Sequence, residues 1–230
     1  MIELVIPTLY KEPALTNLKE MLPKYLKYDL VSHVHIIDNG LAFDEHFPFY
    51  KDLEPKLKIH KPNSYNDWMI NKAWNKGVSL CQDQSIVGIL NDDIIFDLDI
   101  FEYIAYFSEG MGILGMHDTN YKCEEKRYEI VEIPQHCMGW GCAIFFDKLN
   151  WSRIPNDIKL YFGDTWQFHM NEIPCKALKG VPMKDSKISA TLSNGELIEG
   201  FDKQYKEDYE QFKKLAQQKD FNVGYIKHEF

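Results

Sequence analysis

Residues 86–93 read Ile-Val-Gly-Ile-Leu-Asn-Asp-Asp: an unbroken run of apolar or small residues, then an amide and two carboxylates. Such a run, Ile86–Leu90, predicts a strand covered on both faces, as at the centre of a parallel sheet. Neighbouring carboxylates at its end repel one another unless a cation or a donor neutralises them. A hard divalent ion, held by one or two carboxylates and by substrate phosphates, suits that arrangement. There is a plainer use: Asp92 or Asp93 can cap a following helix that carries Phe101 and Ile104. These three residues alone leave both uses open.

Upstream, strand-like and helix-like stretches alternate. Ile2–Pro7 is a short apolar run ended by Pro7. A helix is predicted from Pro13, with Leu15, Leu18, Met21, Leu22, Tyr25 and Leu26 at helical spacing and Pro23 bending its second half. Val34–Ile37 is a second strand, closed by Asp38-Asn39-Gly40, and Leu57–His60 a third. Asn71 to Leu80 reads as a helix with Ala73, Trp74 and Gly77 near one side. This alternation predicts right-handed βαβ units and an α/β fold with a mostly parallel sheet. Ligands of such sheets bind beyond the carboxyl ends of the strands. Pro7-Thr8, Asp38-Asn39-Gly40 and Asn91-Asp92-Asp93 all fall there.

Downstream, strands are predicted at Tyr128–Ile133, Cys142–Phe146, Gly180–Val181 and Ile188–Leu192, a helix over Phe162–Met170, and a polar surface helix over Phe201–Lys219. No linker or repeat divides the chain. It reads as one domain over 1–200, with halves 1–100 and 101–200, and a helical appendage over 201–230.

Composition narrows the function. The 230 residues are 45% hydrophobic and 27% charged, an ordinary globular balance. Lys and Arg total 26 against 35 Asp and Glu, a net charge of −9, which disfavours a general nucleic-acid coat protein. No stretch reaches the length of a membrane span, and the N-terminus lacks the basic start and cleavage pattern of a signal peptide. The five cysteines have no CxxC spacing and read as reduced and mostly buried, in a cytoplasmic setting. Cys123, Cys137 and Cys142 lack the tight ligand pairs of a zinc site. GxxxxGKS, GxSxG and HExxH are absent, which argues against a P-loop ATPase and an α/β-hydrolase.

Three other clusters carry possible chemistry. Asp38 either makes an ordinary turn or accepts a hydrogen bond from a base or ribose. Asp164, in Tyr161-Phe162-Gly163-Asp164-Thr165-Trp166, is an acid among aromatics. Desolvation there raises a carboxyl pKa and improves it as a general base, while a helix cap is its plainer use. Gly139-Trp140-Gly141 lets backbone approach a ligand and offers an indole for stacking, unless Trp140 is simply core.

The order of these motifs resembles that of the GT-A nucleotide-sugar glycosyltransferases, especially the family 2-like group. Val5-Ile6-Pro7-Thr8 resembles the opening strand, with Leu9 intervening before Tyr10. Ile36-Ile37-Asp38-Asn39-Gly40 resembles the second strand, whose Asp contacts the base. Asn63 followed by Asn71-Lys72-Ala73-Trp74-Asn75-Lys76-Gly77 is similar to the helix beside the nucleotide. Asn91-Asp92-Asp93 stands where the group carries its DxD-type metal motif, and Gly139-Trp140-Gly141-Cys142-Ala143 where a glycine-rich strand shapes the sugar and acceptor pocket. Pro155 through Asp164 resembles the segment ending in an acidic pair, with Gly163 in place of the first acid. The resemblance spans roughly residues 1–190. No His stands near Val181-Pro182 or Ile188-Ser189, so a third metal contact is unassigned.

The resemblance implies a glycosyltransferase acting on a nucleotide-diphosphate sugar, a UDP-sugar first. Pro7, Thr8, Tyr10, Asp38, Asn71, Asn75, Asn91 and Asp92 would bind the nucleotide. Asp93 would hold Mn²⁺ or Mg²⁺, and Gly139, Trp140, Gly141 and Trp166 would line the sugar and acceptor pocket. Asp164 would be the general base of an inverting displacement. The acceptor would be a glycan or a hydroxymethylated phage DNA base. Two alternatives stand: a sugar nucleotidyltransferase, whose basic glycine-rich first loop is here reduced to the single cation Lys11, and a non-catalytic nucleotide-binding module.

Overall fold

The structure, a computed structural model, describes residues 1–50, 55–107, 110, 112–137, 139–184, 192–193, 196–197 and 201–219, with backbone alone at 192–193, 196–197 and 201. Strand β1 (Ile2–Thr8) is buried along its whole length because it carries apolar residues to both faces. Ile2, Leu4 and Ile6 enter one core with Leu15, Leu18, Met21, Leu22, Tyr25 and Leu26 of helix α1 (Ala14–Lys27). Pro23 lies inside α1 without ending it. Val5 enters a second core with Ala73, Trp74 and Val78 of helix α3 (Ile70–Leu80). The sheet therefore has a helix layer on each side.

Around β1, strands β2 (Val31–Asp38) and β3 (Leu57–His60) add in parallel on one side. A short helix α2 (Phe43–His46) lies between them in the chain. On the other side β4 (Ile86–Leu90) joins β1, also in parallel. The chain thus reverses its direction of growth between β1 and β4, a switch point of the kind that opens a crevice at the carboxyl ends.

Beyond β4 come β8 (Ala143–Asp147), antiparallel to it, then β6 (Leu114–Met116), β9 (Lys176–Lys179) and β7 (Glu129–Glu132). The full order is β3-β2-β1-β4-β8-β6-β9-β7. Two further pairs are small: β5 (Ile95–Phe96) with β10 (Met183–Lys184), and β11 (Leu192–Ser193) with β12 (Glu196–Leu197). Helices α4 (Ile100–Phe107), α5 (Gly163–Met170) and α6 (Phe201–Gln218) complete the elements.

The predicted strand at Gly180–Val181 is instead the turn between β9 and β10, because Gly180 adopts a left-handed φ of 75° that breaks extended backbone. The predicted strand Ile188–Leu192 lies outside the described residues except for Leu192. Helix α4 begins only at Ile100, after β5, so neither Asp92 nor Asp93 caps it.

The polar C-terminal helix is more than a solvated face. Phe212 and Ala216 are fully buried in the second core, and Phe212 packs on Phe162 and Trp166. Asp208, also fully buried, accepts hydrogen bonds from the backbone N–H groups of Lys159, Leu160 and Tyr161 at 3.1, 2.7 and 2.9 Å. Asp208→Ala strands three part-buried donors. It should destabilise the fold by about 3–5 kcal/mol, read as a lower urea midpoint with an unchanged m-value. An unmoved midpoint would mean that α6 does not hold this loop.

Candidate active site

The carboxyl ends of β1, β2 and β4 bring together the first group of expected residues. Thr8 is buried, and its Oγ1 accepts the backbone N–H of Tyr10 at 3.0 Å. This contact fixes a sharp turn in which Tyr10 takes a left-handed φ of 56° and folds its ring inward against His46 and Phe47. The Tyr10 phenol is pushed well above its ordinary pKa by burial and by the charges of Asp38 and Asp92 around it. Asp92 lies on the other flank of Thr8 and hydrogen-bonds its side chain. Burial, helped by the adjacent Asp93 charge and opposed by Thr8, pushes the Asp92 carboxyl up to about 7. Asn17 of α1 donates to the Asp93 carbonyl at 2.5 Å and anchors the turn from outside.

Asp38 is fully buried, and its two oxygens accept the backbone N–H groups of Ala42 and Phe43 at 3.0 and 3.2 Å. It shapes the β2–α2 turn, as its ordinary turn chemistry requires. The ammonium of Lys61, just past the end of β3, lies 3.6 Å from Asp38 and 2.8 Å from Asp44. Lys61 was not expected, although the rule that singled out Thr8, Asp38 and Asn91 applies equally to the residue after Leu57–His60.

The second group sits where β8 begins, beside the end of β4. Asn91 donates its backbone N–H to the Cys142 carbonyl at 2.9 Å, and Leu90 pairs with Ala143. The acidic turn and the Gly139-Trp140-Gly141 segment are therefore neighbours. A Cβ on Gly141 would fall 2.6 Å from Cβ and Oδ2 of Asp164, so glycine there lets the acid come close. Asp164, in the first turn of α5, has both oxygens engaged. Oδ1 accepts the N–H of Thr165 at 2.8 Å, and Oδ2 lies 3.0 Å from Nε2 of His136.

The expectation that burial would raise the Asp164 pKa is overturned. Burial pushes it up, but the His136 imidazole and the local N–H donors more than offset this, and the net direction is down. His136, which sequence reasoning passed over, packs edge-on against Trp140 and Phe168 at 5.6 and 5.8 Å. Its nearness in sequence to Gly139 was the one available signal.

Several expected roles change. Trp140 is fully buried, with its Nε1 donating to the Lys176 carbonyl at 2.9 Å, so it buttresses His136 and offers no open stacking face. Trp166 is 4% exposed and turned into the α6 interface. In place of the expected nucleotide contact, Asn75 donates to the Ile154 carbonyl at 2.8 Å and accepts from the Ile154 N–H and Trp151 Nε1. Asn71 donates to the carbonyls of Ile158 and Tyr161 at 3.1 and 3.0 Å. These two amides, with Asp208, clamp residues 151–161 and set where α5 starts.

Gly163 explains the missing first acid of the expected pair. Any Cβ there would lie 2.0 Å from Oδ1 of Asn71. Gly163→Ala should thus shift Asp164, lowering activity by about tenfold or more for a modest displacement. Activity at the wild-type level would show that the clamp tolerates movement.

No family model matches the chain, and no curated protein matches it in sequence. Solved structures do match its fold. S. aureus TarS 1–349 superposes with a TM-score of 0.52 at 13% identity, over 76% of this chain and 57% of that one; the same fragment in complex with UDP gives 0.51. The chain thus spans little more than half of the TarS fragment. HddC from Yersinia pseudotuberculosis, complexed with GMP-PN, matches over 92% of this chain and 100% of its own, with a TM-score of 0.53 and 13% identity. A Bacillus anthracis structure described as a glucose-1-phosphate thymidylyltransferase matches over 80% and 88%, at 0.53 and 14%. The chain has a GT-A-like nucleotide-sugar transferase fold.

The turn after β4 carries a donor set that could hold a divalent cation. Asp92 and Asp93 are adjacent carboxylates, the hard oxygen ligands such an ion takes. No helix among the described residues is long and apolar enough to cross a membrane.

Proposed function

We propose that the chain is a glycosyltransferase that moves a sugar from a nucleoside-diphosphate donor, a UDP-sugar first, to an acceptor hydroxyl with inversion. The observation that carries this is the adjacency of two unlike acidic sites. A paired carboxylate turn lies at the switch point between β1 and β4, and a His–Asp pair lies one strand over, at the start of β8. The diphosphate rests against the turn at Thr8 and Asp92, and Asp93 with Asp92 holds Mn²⁺ or Mg²⁺. The cation, when bound, stabilises charge on the leaving diphosphate.

The acceptor approaches from the Gly141 side. Asp164 holds His136 through its Nε2 hydrogen, which leaves the lone pair on Nδ1 to take the acceptor proton. This is the base-and-orienter arrangement of nucleophilic catalysis. It assigns the proton to the imidazole where the sequence expectation gave it to Asp164, whose depressed pKa and engaged oxygens make it the weaker acceptor. Direct attack across one face gives inversion. Proton NMR of the anomeric signal in the fresh product tests this, and a retained configuration would overturn single displacement. The acceptor class we propose is a glycan hydroxyl, with a hydroxymethylated DNA base as the other candidate.

Matches to a thymidylyltransferase and to HddC support a second reading, transfer of a nucleotidyl group. Against it stands the β1–α1 connection, five residues (9–13) whose sole cation is the exposed Lys11. A panel of nucleotide sugars incubated with Mn²⁺ separates the three cases. Free sugar and nucleoside diphosphate mean transfer to water. Nucleotide sugar made from a triphosphate and a sugar phosphate means nucleotidyl transfer. Binding without either product means a non-catalytic module.

A further inference from the structure

At the opposite, amino-terminal end of the sheet lies a cluster that the transferase chemistry does not use. Glu3 enters from β1, His35 from β2, and Cys81 follows the last turn of α3. All three are buried, and one ligand atom from each lies within 4.8 Å of the other two. Glu3 Oε2 is 2.9 Å from His35 Nε2, and Glu3 Oε1 accepts the Gln82 N–H at 2.8 Å. On its far side, His35 Nδ1 meets His60 Nε2 at 3.0 Å, with the two rings stacked. His33, paired with Glu3 in the strand register, brings Nδ1 to 3.6 Å from Glu3 Oε2. That nitrogen is buried and has no hydrogen-bond partner.

We propose that Glu3, His35 and Cys81 bind a divalent transition metal of the zinc class as a structural site, with His33 Nδ1 as the nearest candidate for the fourth position. The ligand types decide the metal class. An imidazole and a thiol disfavour Mg²⁺ and Ca²⁺, and a mixed oxygen, nitrogen and sulfur set is usual for Zn²⁺. Charge supports it as well: one carboxylate and one thiolate neutralise a dication, which a buried site requires.

The Glu3–His35 spacing needs little change, and the Cys81 sulfur, within 4.8 Å of both, closes to the same range. Zinc–ligand bonds of about 2.0–2.3 Å place tetrahedral ligand atoms roughly 3.3–3.8 Å apart, so the Glu3–His35 contact opens by a few tenths of an ångström. His60 supplies the outer hydrogen bond that metal-bound histidines usually carry.

Binding balances simply. Cys81 loses its thiol proton to solvent. His35 moves its proton from Nε2 to Nδ1, His60 moves its own from Nε2 to Nδ1 so that its Nε2 accepts from His35, and Glu3 is already ionised. The hydrogen-bonded ladder Glu3–His35–His60 is the metal-free rival. It accounts for those three side chains, and Cys81 Sγ then keeps its 3.5 Å contact to the Gly77 carbonyl, but it leaves the buried His33 nitrogen without a hydrogen bond. The site is independent of the transferase reading.

The test uses the full chain, exchanged against Co²⁺ and, separately, loaded with Zn²⁺ and desalted. We expect about one Zn²⁺ per chain by elemental analysis and a sulfur-to-metal charge-transfer band with Co²⁺. Both should persist in Asp93→Ala and be lost in Cys81→Ser. Zinc should raise the thermal midpoint of the wild type and leave Cys81→Ser unmoved. Absence of the sulfur band in the wild type overturns the proposal whether or not any variant folds. So does a sulfur band, or a zinc-raised midpoint, that survives Cys81→Ser, and the ladder then stands as a hydrogen-bonded core.

Discussion

Asp93→Ala should lower sugar transfer by about 10³-fold or more, the scale seen when a principal stabiliser of transition-state charge is removed. Asp93 stands at the half-buried turn after β4, and truncating it relieves the repulsion that helps push Asp92 up to about 7. Stability should therefore hold or rise slightly, and the loss cannot be blamed on unfolding. Chelation of the wild type should reproduce the defect, and Mn²⁺ or Mg²⁺ should restore the wild type but not the variant. Asp92→Asn is the instructive companion. It keeps the contact to Thr8 and removes one charge, so it should weaken metal and donor binding with a smaller loss at saturation. Wild-type turnover in Asp93→Ala, or indifference of the wild type to chelation, would remove the turn from the chemistry.

The parallel half of the fold was legible because its strands are short apolar runs that end in polar turns. Leu57–His60 and Ile86–Leu90 match the structure residue for residue. The strands of the second half were harder. Leu114–Met116 and Lys176–Lys179 are three and four residues long, and their pairing partners are far away in sequence, so no local periodicity announces them. Gly180 punctuates a turn that reads from sequence as apolar strand.

At the site, residue types told which positions matter better than what they do. Asn71 and Asn75 stand on α3 where a nucleotide contact was expected, yet an amide at those positions has backbone donors and acceptors of residues 151–161 within reach and satisfies them first. Trp140 and Trp166 read equally well as stacking plates and as core, and burial decided for core in both. His136 and Asp208 were invisible as functional residues because their partners, Asp164 and the backbone of 159–161, lie 28 and 47–49 positions away in the chain. Only tertiary structure brings them together.

His136→Gln should lower transfer by about 10²–10⁴-fold, the usual range for loss of a general base, and Asp164→Asn should fall in the same range. The two are not equivalent. His136→Gln removes the lone pair that takes the proton, so an acceptor with a more acidic hydroxyl should recover much of the loss. Asp164→Asn keeps the imidazole but removes the carboxylate that orients it, which leaves a misplaced base. The double variant should be little worse than either single one, because the pair acts as a unit.

The pH profile separates the pair from the sequence expectation. With the imidazole as acceptor, His136→Gln removes the proton acceptor itself, so turnover falls at every pH and no new acid limb appears. With Asp164 as acceptor, the carboxylate that His136 holds below its ordinary range stays ionised on the acid side in the wild type, and His136→Gln, by removing that offset to burial, lets its pKa rise and brings an acid limb into the profile. Full activity in His136→Gln with loss in Asp164→Asn returns the proton to the carboxylate. Full activity in both moves the acceptor away from the Gly141 side altogether.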